Sequence, residues 1–439
     1  MDKREQERIV SLIKREVVPA TGCTEPVAVA LAVAYASSVL PTCLIPPTRI
    51  EVLLSANMLK NAMGVGIPGT GMIGLPIAVA LGYAIAKPEK GLSILNGFSG
   101  QELDRAKDIV NQGNVVAIAL KPGDVDNLYI EVNLVSGKHK ATAIIEQVHT
   151  GLTTLILDGK VLPVVAQSRA GGIPSEETQT EEDIALDFDL VYRFSMETPI
   201  EEIMFIEEAA RLNSEASRFS LHGNYGHSVG QMILSPLGKR YLGDTTFTKM
   251  LSCTSAACDA RMDGASVPVM SNSGSGNQGI TATLPVLAFA REERADREST
   301  IRALMLSNLM VVYIKQKLGR LSALCGCVVA ATGSACGITY LMGGTREQIG
   351  FAIKNMVGNI SGMLCDGAKP SCALKVTSGV SSAMLSALLA IEDRVVTASE
   401  GIVDEDVDRT VDNLTSIGRD AMRETDMHVL NIMTHKGTA

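Results

Sequence analysis

Apolar positions recur at helical spacing from the start of the chain. In MDKREQERIVSLIKREV, Ile9, Ile13 and Val17 share one face, which predicts a helix over residues 1–17. Residues 26–40 are almost wholly apolar and predict a second helix, buried on all sides. Around Arg49–Ser55 the pattern becomes strand-like (RIEVLLS), followed by a short helix at 57–63, a glycine-rich turn and a buried helix at 71–86. The period then changes to two: NVVAIAL (114–120), LYIEVNLV (128–135), TAIIEQV (142–148) and VLPVVAQ (161–167) read as strands. The turn signals SGKH and LDGK between them predict an antiparallel meander. Residues 168–184 are polar with Gly and Pro and read as a linker; from about 198 the pattern is mainly helical. The expected architecture is α+β. Residues 1–47 and 185–439, both chain ends, would form a mainly helical domain carrying an inserted smaller α/β domain at 48–184.

Composition narrows the function classes. Hydrophobic residues make 46% and charged residues 20% of the 439, which is globular rather than disordered. The net charge of −9, with no cluster of Lys and Arg among aromatics, gives no footprint for nucleic acid. The charged N-terminus lacks an apolar core and a cleavage site, so it does not read as a signal peptide. Nine cysteines, an odd number unevenly spread, point to reduced thiols in a cytoplasmic protein rather than a disulfide framework. Residues 26–48 and 321–345 carry no charge and are long enough to cross a bilayer. Their Ala, Gly, Ser, Thr and Cys content, the prolines at 41, 46 and 47 and the absence of Trp favour closely packed buried helices and no membrane span.

Four groups of residues could carry chemistry. Cys325 and Cys327 in LSALCGC, with Cys365 and Cys372 in CDGAKPSC, are soft donors suited to iron–sulfur clusters. Their spacing lacks the paired short intervals of structural zinc, and taken alone it fits small buried side chains equally well. In TGCTEP, Pro26 falls in the first turn of a helix, so Cys23 sits just outside its N-terminus. The helix dipole there favours a thiolate, Glu25 opposes it, and a buried structural cysteine remains the alternative. GTGMIG (69–74) and GSGNQG (274–279) match the dinucleotide fingerprint, but in poor strand context. The second is rich in Ser and Asn, which suits either an anion nest for a substrate carboxylate or a polar helix cap. The histidines, including His149, His222 and His227, read as packing or surface residues.

GCTEP, SANMLKNAMGVGIPGTGMIGLP, TSAACDARMDGA, MSNSGSGNQGITATLPV, RLSALCG and SGMLCDGAKPSCALK occur in that order along the chain. Together they resemble the L-cysteine desulfidase family, which groups with serine dehydratase α-subunit-like proteins. The resemblance implies a [4Fe–4S] cluster held by Cys325, Cys365 and Cys372, with Cys327 as the alternative to Cys325. It implies Cys23, beside Glu25, as the base, and Lys60, Asn61, Ser271, Asn272, Ser273 and Asn277 as polar walls of a substrate pocket in a catalytic helical domain. The expected reaction is β-elimination from a small L-amino acid without pyridoxal phosphate, in a homodimer. Serine or threonine dehydration with the same cluster, and a cluster-binding sensor without turnover, are the competing readings.

Overall fold

The computed structural model describes residues 1–41, 46–164, 184–319 and 322–435. The chain opens with α1 (Lys3–Glu16), capped by the Asp2 carboxylate, which accepts from the Glu5 N–H at 2.8 Å. Its one apolar face, with Ile9, Leu12 and Ile13, packs into the core of the helical unit. After β1 (Pro19–Ala20) comes α2 (Thr24–Ser38), buried continuously from Pro26 to Ser37. Next are β2 (Arg49–Leu54), α3 (Ala56–Ala62), the small hairpin β3 (Gly66–Ile67) and β4 (Met72–Ile73), and α4 (Leu75–Ile85). Then α5 (Gly100–Asn111) leads into β5 (Val116–Leu120), β6 (Tyr129–Ser136), β7 (His139–Glu146), β8 (Leu152–Leu157) and β9 (Lys160–Val161).

One sheet runs in the order β5-β2-β6-β7-β8-β9. Strands β6 to β9 form the expected antiparallel meander, but β5 does not belong to it. It pairs parallel with β2, Ile50 opposite Val116, so the chain between them must cross over through α3, α4 and α5. The capping box that starts α5, Ser99 with Glu102, is legible in SGQE, although the apolar period alone does not single that helix out. Strand β8 (LTTLIL) replaces the one expected at 161–167, of which β9 holds only Val161 and residues 165–167 lie outside the described residues. The LDGK turn joins β8 to β9: Asp158 and Gly159 have φ of 49° and 79°, both positive as a tight hairpin requires. Of the expected linker, residues 168–183 also lie outside the described residues.

Residues 1–47 do not pack as one piece on the helical domain. Helix α1 has a single apolar face and needs one neighbour; α2 is apolar all round and packs against α4 and the sheet, in the sheet unit's core. The two helices nearly touch through backbone, since a Cβ on Gly82 would lie 2.3 Å from the Ala30 carbonyl oxygen.

Helical structure resumes at α6 (Phe188–Glu197), ten residues before the expected 198, with α7 (Ile200–Ile203), α8 (Glu207–Leu221), α9 (Val229–Leu234), α10 (Pro236–Leu242) and α11 (Thr246–Met262). A two-residue strand, β10 (Val269–Met270), precedes α12 (Gly276–Glu292), α13 (Arg297–Leu318), α14 (Gly326–Leu341), α15 (Arg346–Ile360) and α16 (Cys372–Ile391). The described chain closes with α17 (Val407–Ser416) and α18 (Arg423–Thr434). Helix α14 is buried from Cys327 to Thr339 and is packed by α12, α13, α15 and α16. Small residues permit this: a Cβ on Gly333 would lie 2.4 Å from the Ser307 carbonyl of α13. Within the uncharged stretches, the helices α2 and α14 are therefore buried inside the protein. Among the described residues one helix, α16, is long and apolar enough to cross a bilayer, with Leu374, Leu385 and Leu388 exposed on it.

Candidate active site

Strand β1 pairs with β10, Pro19 opposite Met270 and Ala20 opposite Val269. This ties the TGCTEP segment to the glycine-rich turn 250 residues away. Ser271 donates both its N–H and its hydroxyl to the Val18 carbonyl, at 2.8 and 2.7 Å, and the Ser273 N–H donates to Glu16 O at 2.9 Å. Gly22 turns the chain with φ of 73°, and Cys23 then stands as the cap before α2. Its thiol donates to Glu25 Oε2 at 2.8 Å. Burial, and next the Glu25 carboxylate, hold the Cys23 thiol well above the usual range, so the proton stays on sulfur and the expected dipole effect does not prevail.

The cysteines face this pair from α14 and α16. The segments before the two helices meet in a one-residue antiparallel bridge, Leu324 with Leu364. Within it the Cys325 N–H donates to Met363 O at 3.0 Å and the Cys365 N–H to Ala323 O at 2.7 Å. Cys325 caps α14 and Cys372 begins α16, so two helix N-termini aim their dipoles at the same space. A hydrogen bond from the Cys327 thiol pulls Cys325 down to about 7, whereas burial pushes Cys365 and Cys372 up. All three thiols are free. Between them the GAKP turn is clamped from both sides: Asp366 pairs with Lys369 and Lys375, and Gly367 lies so close to α3 that a Cβ would meet the Lys60 carbonyl oxygen at 2.2 Å.

The third wall is the turn before α12. Ser273 and Gly274 have φ of 47° and 81°, and the Ser275 hydroxyl accepts from the Gln278 N–H. This is a helix start facing the cavity, unlike the first glycine motif, which forms the β3–β4 hairpin and the approach to α4. Beside it lies Arg261 of α11, only 4% exposed; one nitrogen donates to Asn277 Oδ1 at 3.2 Å and Nε has no partner.

These groups line one cavity of about 160 Å³. Eight expected residues meet there: Cys23 and Glu25, Asn61, Ser273 and Asn277, and Cys325, Cys365 and Cys372. Three face elsewhere. Lys60 is 1% exposed, with its ammonium paired to Asp426 of α18; Ser271 is spent on Val18; and Asn272 donates to the backbone and side-chain oxygens of Asn308. They brace the walls. Sequence reasoning passed over Arg261 and Gln278, and also the loops at the end of the β6–β7 hairpin, which bring Asp126 and His149 to the cavity. His149 is therefore a cavity residue. The charged pair Asp259 and Arg261 within small-residue TSAACDAR was the available signal for the first.

Residues 89–431 match the family described as serine dehydratase alpha chain. The chain is 65% identical over 436 residues to a UPF0597 protein of Porphyromonas gingivalis, covering 99% of this chain and all of that one. It is 55% identical over 439 residues to a UPF0597 protein of Bacteroides thetaiotaomicron, covering both chains in full. A UPF0597 protein of Aeromonas salmonicida is 43% identical over 428 residues, covering 97% of this chain and 96% of its own. The protein belongs to the serine dehydratase alpha chain family.

Proposed function

We propose that the protein is an iron–sulfur-dependent lyase that removes the β-substituent of a small L-amino acid, with L-cysteine as substrate and sulfide, ammonia and pyruvate as products. The observation that carries this reading is the meeting of the Cys23–Glu25 pair with Cys325, Cys365 and Cys372 across one small cavity. Among the described residues no three His, Cys, Asp or Glu side chains close round a single ion. The free thiols of Cys325, Cys365 and Cys372, two of them at helix N-termini and with Cys327 beside them on the same wall, suit a larger, softer group. A [4Fe–4S] cluster held by Cys325, Cys365 and Cys372 would supply an iron with an open position, a Lewis acid toward the leaving β-sulfur.

The chain's own residues supply the proton chemistry. In its deprotonated form the Cys23 sulfur takes the Cα proton of the substrate, and Glu25 Oε2, which accepts the thiol's hydrogen bond at 2.8 Å, orients it. A thiol held high becomes a strong base once deprotonated, as a weakly acidic carbon requires. The Cα–H and Cβ–S bonds break, and the released 2-aminoacrylate hydrolyses to pyruvate and ammonia. A cavity of about 160 Å³ lies below the ~300–1,000 Å³ of sites for drug-sized ligands, which suits a substrate the size of cysteine. Among the described residues eight cysteines are free thiols, which fits the reducing environment of the cytoplasm.

The family description favours a second reading, L-serine or L-threonine with hydroxide as the leaving group. The test is release of sulfide and pyruvate from L-cysteine by protein purified without oxygen and reconstituted with iron and sulfide. Equimolar products, lost when air bleaches the cluster, support the desulfidase. Pyruvate from L-serine alone moves the reading to the dehydratase, and silence with both refutes it.

A further inference from the structure

A guanidinium buried without a carboxylate is costly unless something else brings the negative charge. Arg261 is in that position. It is 4% exposed, its Nε has no partner, and among the described residues no acidic side chain pairs with it. Among the described residues its one hydrogen bond to oxygen goes to the neutral Asn277 amide, at 3.2 Å. The surroundings add to the cost. The guanidinium lies against Gly276, the first residue of α12: a Cβ there would come within 2.2 Å of Arg261 Nε. A buried cation is thus stacked on the positive end of a 17-residue helix. Both charges of this doubly positive corner face the cavity that holds Cys23 and the cysteine wall.

We infer that Arg261 and the N-terminus of α12 form the seat of the substrate's α-carboxylate, which confines the enzyme to small α-amino monocarboxylic acids. This rests on the proposed function and specifies its substrate class. The fork of the guanidinium suits a planar carboxylate, with the unpaired Nε as one donor and the backbone N–H groups of the turn as others. The same turn holds an orphan of opposite character: Gln278 Oε1 is buried without a donor, at a residue 3% exposed, and offers an acceptor for the amino group. A zwitterion held there is close to the catalytic thiol, because the Arg261 charge already acts on Cys23. Gly276 is required by this arrangement, since any side chain would displace the guanidinium.

The test compares binding of radiolabelled L-serine and of L-serinamide to the full chain, and the same amino acids in turnover assays on reconstituted protein. The wild type is expected to bind the acid at least ~100-fold more tightly than the amide, as loss of a charge-assisted pair implies. Arg261→Met should abolish that discrimination with unchanged circular dichroism. Arg261→Lys, which keeps the charge but not the fork, should raise KM ~10-fold or more while the acid is still preferred. Equal binding of acid and amide by the wild type, or retained preference in Arg261→Met, overturns the inference, and the wild-type measurement decides it even if the methionine variant does not fold. Binding that depends on Arg261 without any elimination leaves the carboxylate seat in place and removes the lyase reading; elimination that survives in Arg261→Met does the reverse.

Discussion

Two cysteines in this protein occupy the same local frame and behave oppositely. Cys23 caps α2 and Cys325 caps α14, each with a hydrogen-bonding partner two residues on, Glu25 in one case and Cys327 in the other. Both stand at the positive end of a helix. Yet Cys23 is held well above the usual thiol range, while Cys325 is drawn down to about 7. The dipole is common to both and cannot explain the difference. Burial raises both thiols, but the balance differs: at Cys23 burial is the largest cause and the Glu25 carboxylate adds to it, whereas at Cys325 the hydrogen bond donated by the Cys327 thiol outweighs it. One frame thus holds its proton firmly and gives a strong base when it loses it, and the other gives up its proton more readily, as a metal ligand must.

The largest effect expected on this contrast comes from the metal-binding side. Cys365→Ala or Cys372→Ala, removing one of three thiols on that wall, should abolish iron retention and all turnover. Iron content and visible absorbance of anaerobically prepared variants check this, and full cluster absorbance in either would end the ligand assignment. Next is the base side: Cys23→Ser should keep the iron and lower kcat by ~10²–10⁴-fold, the usual worth of general-base help. A serine variant as active as the parent would remove Cys23 from the chemistry. The two results together separate the walls, since one variant loses the metal and the other keeps it.

How much of this was legible in the sequence differs by feature. The burial of α2 and α14 follows from their lack of any polar face, and the motif order places eight of eleven expected residues on one cavity. The motifs do not give direction. Lys60 and Asn61 are neighbours in LKN, but on a helix adjacent residues point about 100° apart, and only Asn61 lines the cavity while Lys60 meets Asp426. The sign of the Cys23 shift depends on burial, the largest contribution, which no local pattern contains. Arg261 follows Asp259 by two residues in a segment of small side chains, and that its Nε lacks a partner is a fact about elements packed together. In the sheet, alternation found β6 and β7 but could not show that β5 runs parallel to β2.

Two smaller effects sharpen the contrast by exchanging the partners' roles. Glu25→Gln removes the like charge and the charged acceptor, both of which raise the Cys23 pKa, so that pKa should fall, though burial keeps it above the ordinary value. Alkylation of Cys23 at fixed pH, followed by mass spectrometry, should therefore become faster while turnover drops; a slower reaction would reverse the sign assigned to Glu25.

Cys327→Ala removes the donor to Cys325, whose pKa in metal-free protein should rise from about 7, since burial then acts without its main opponent. With the parent Cys325 drawn down to about 7, iodoacetamide labelling of metal-free protein at neutral pH should slow several-fold in the alanine variant. Cys327→Ser, which restores a hydroxyl donor at the same place, should recover much of the rate. Equal slowing by alanine and serine would mean that Cys327 acts by packing rather than by its proton, and the contrast between the two capping cysteines would then rest on the burial and the Glu25 charge at Cys23.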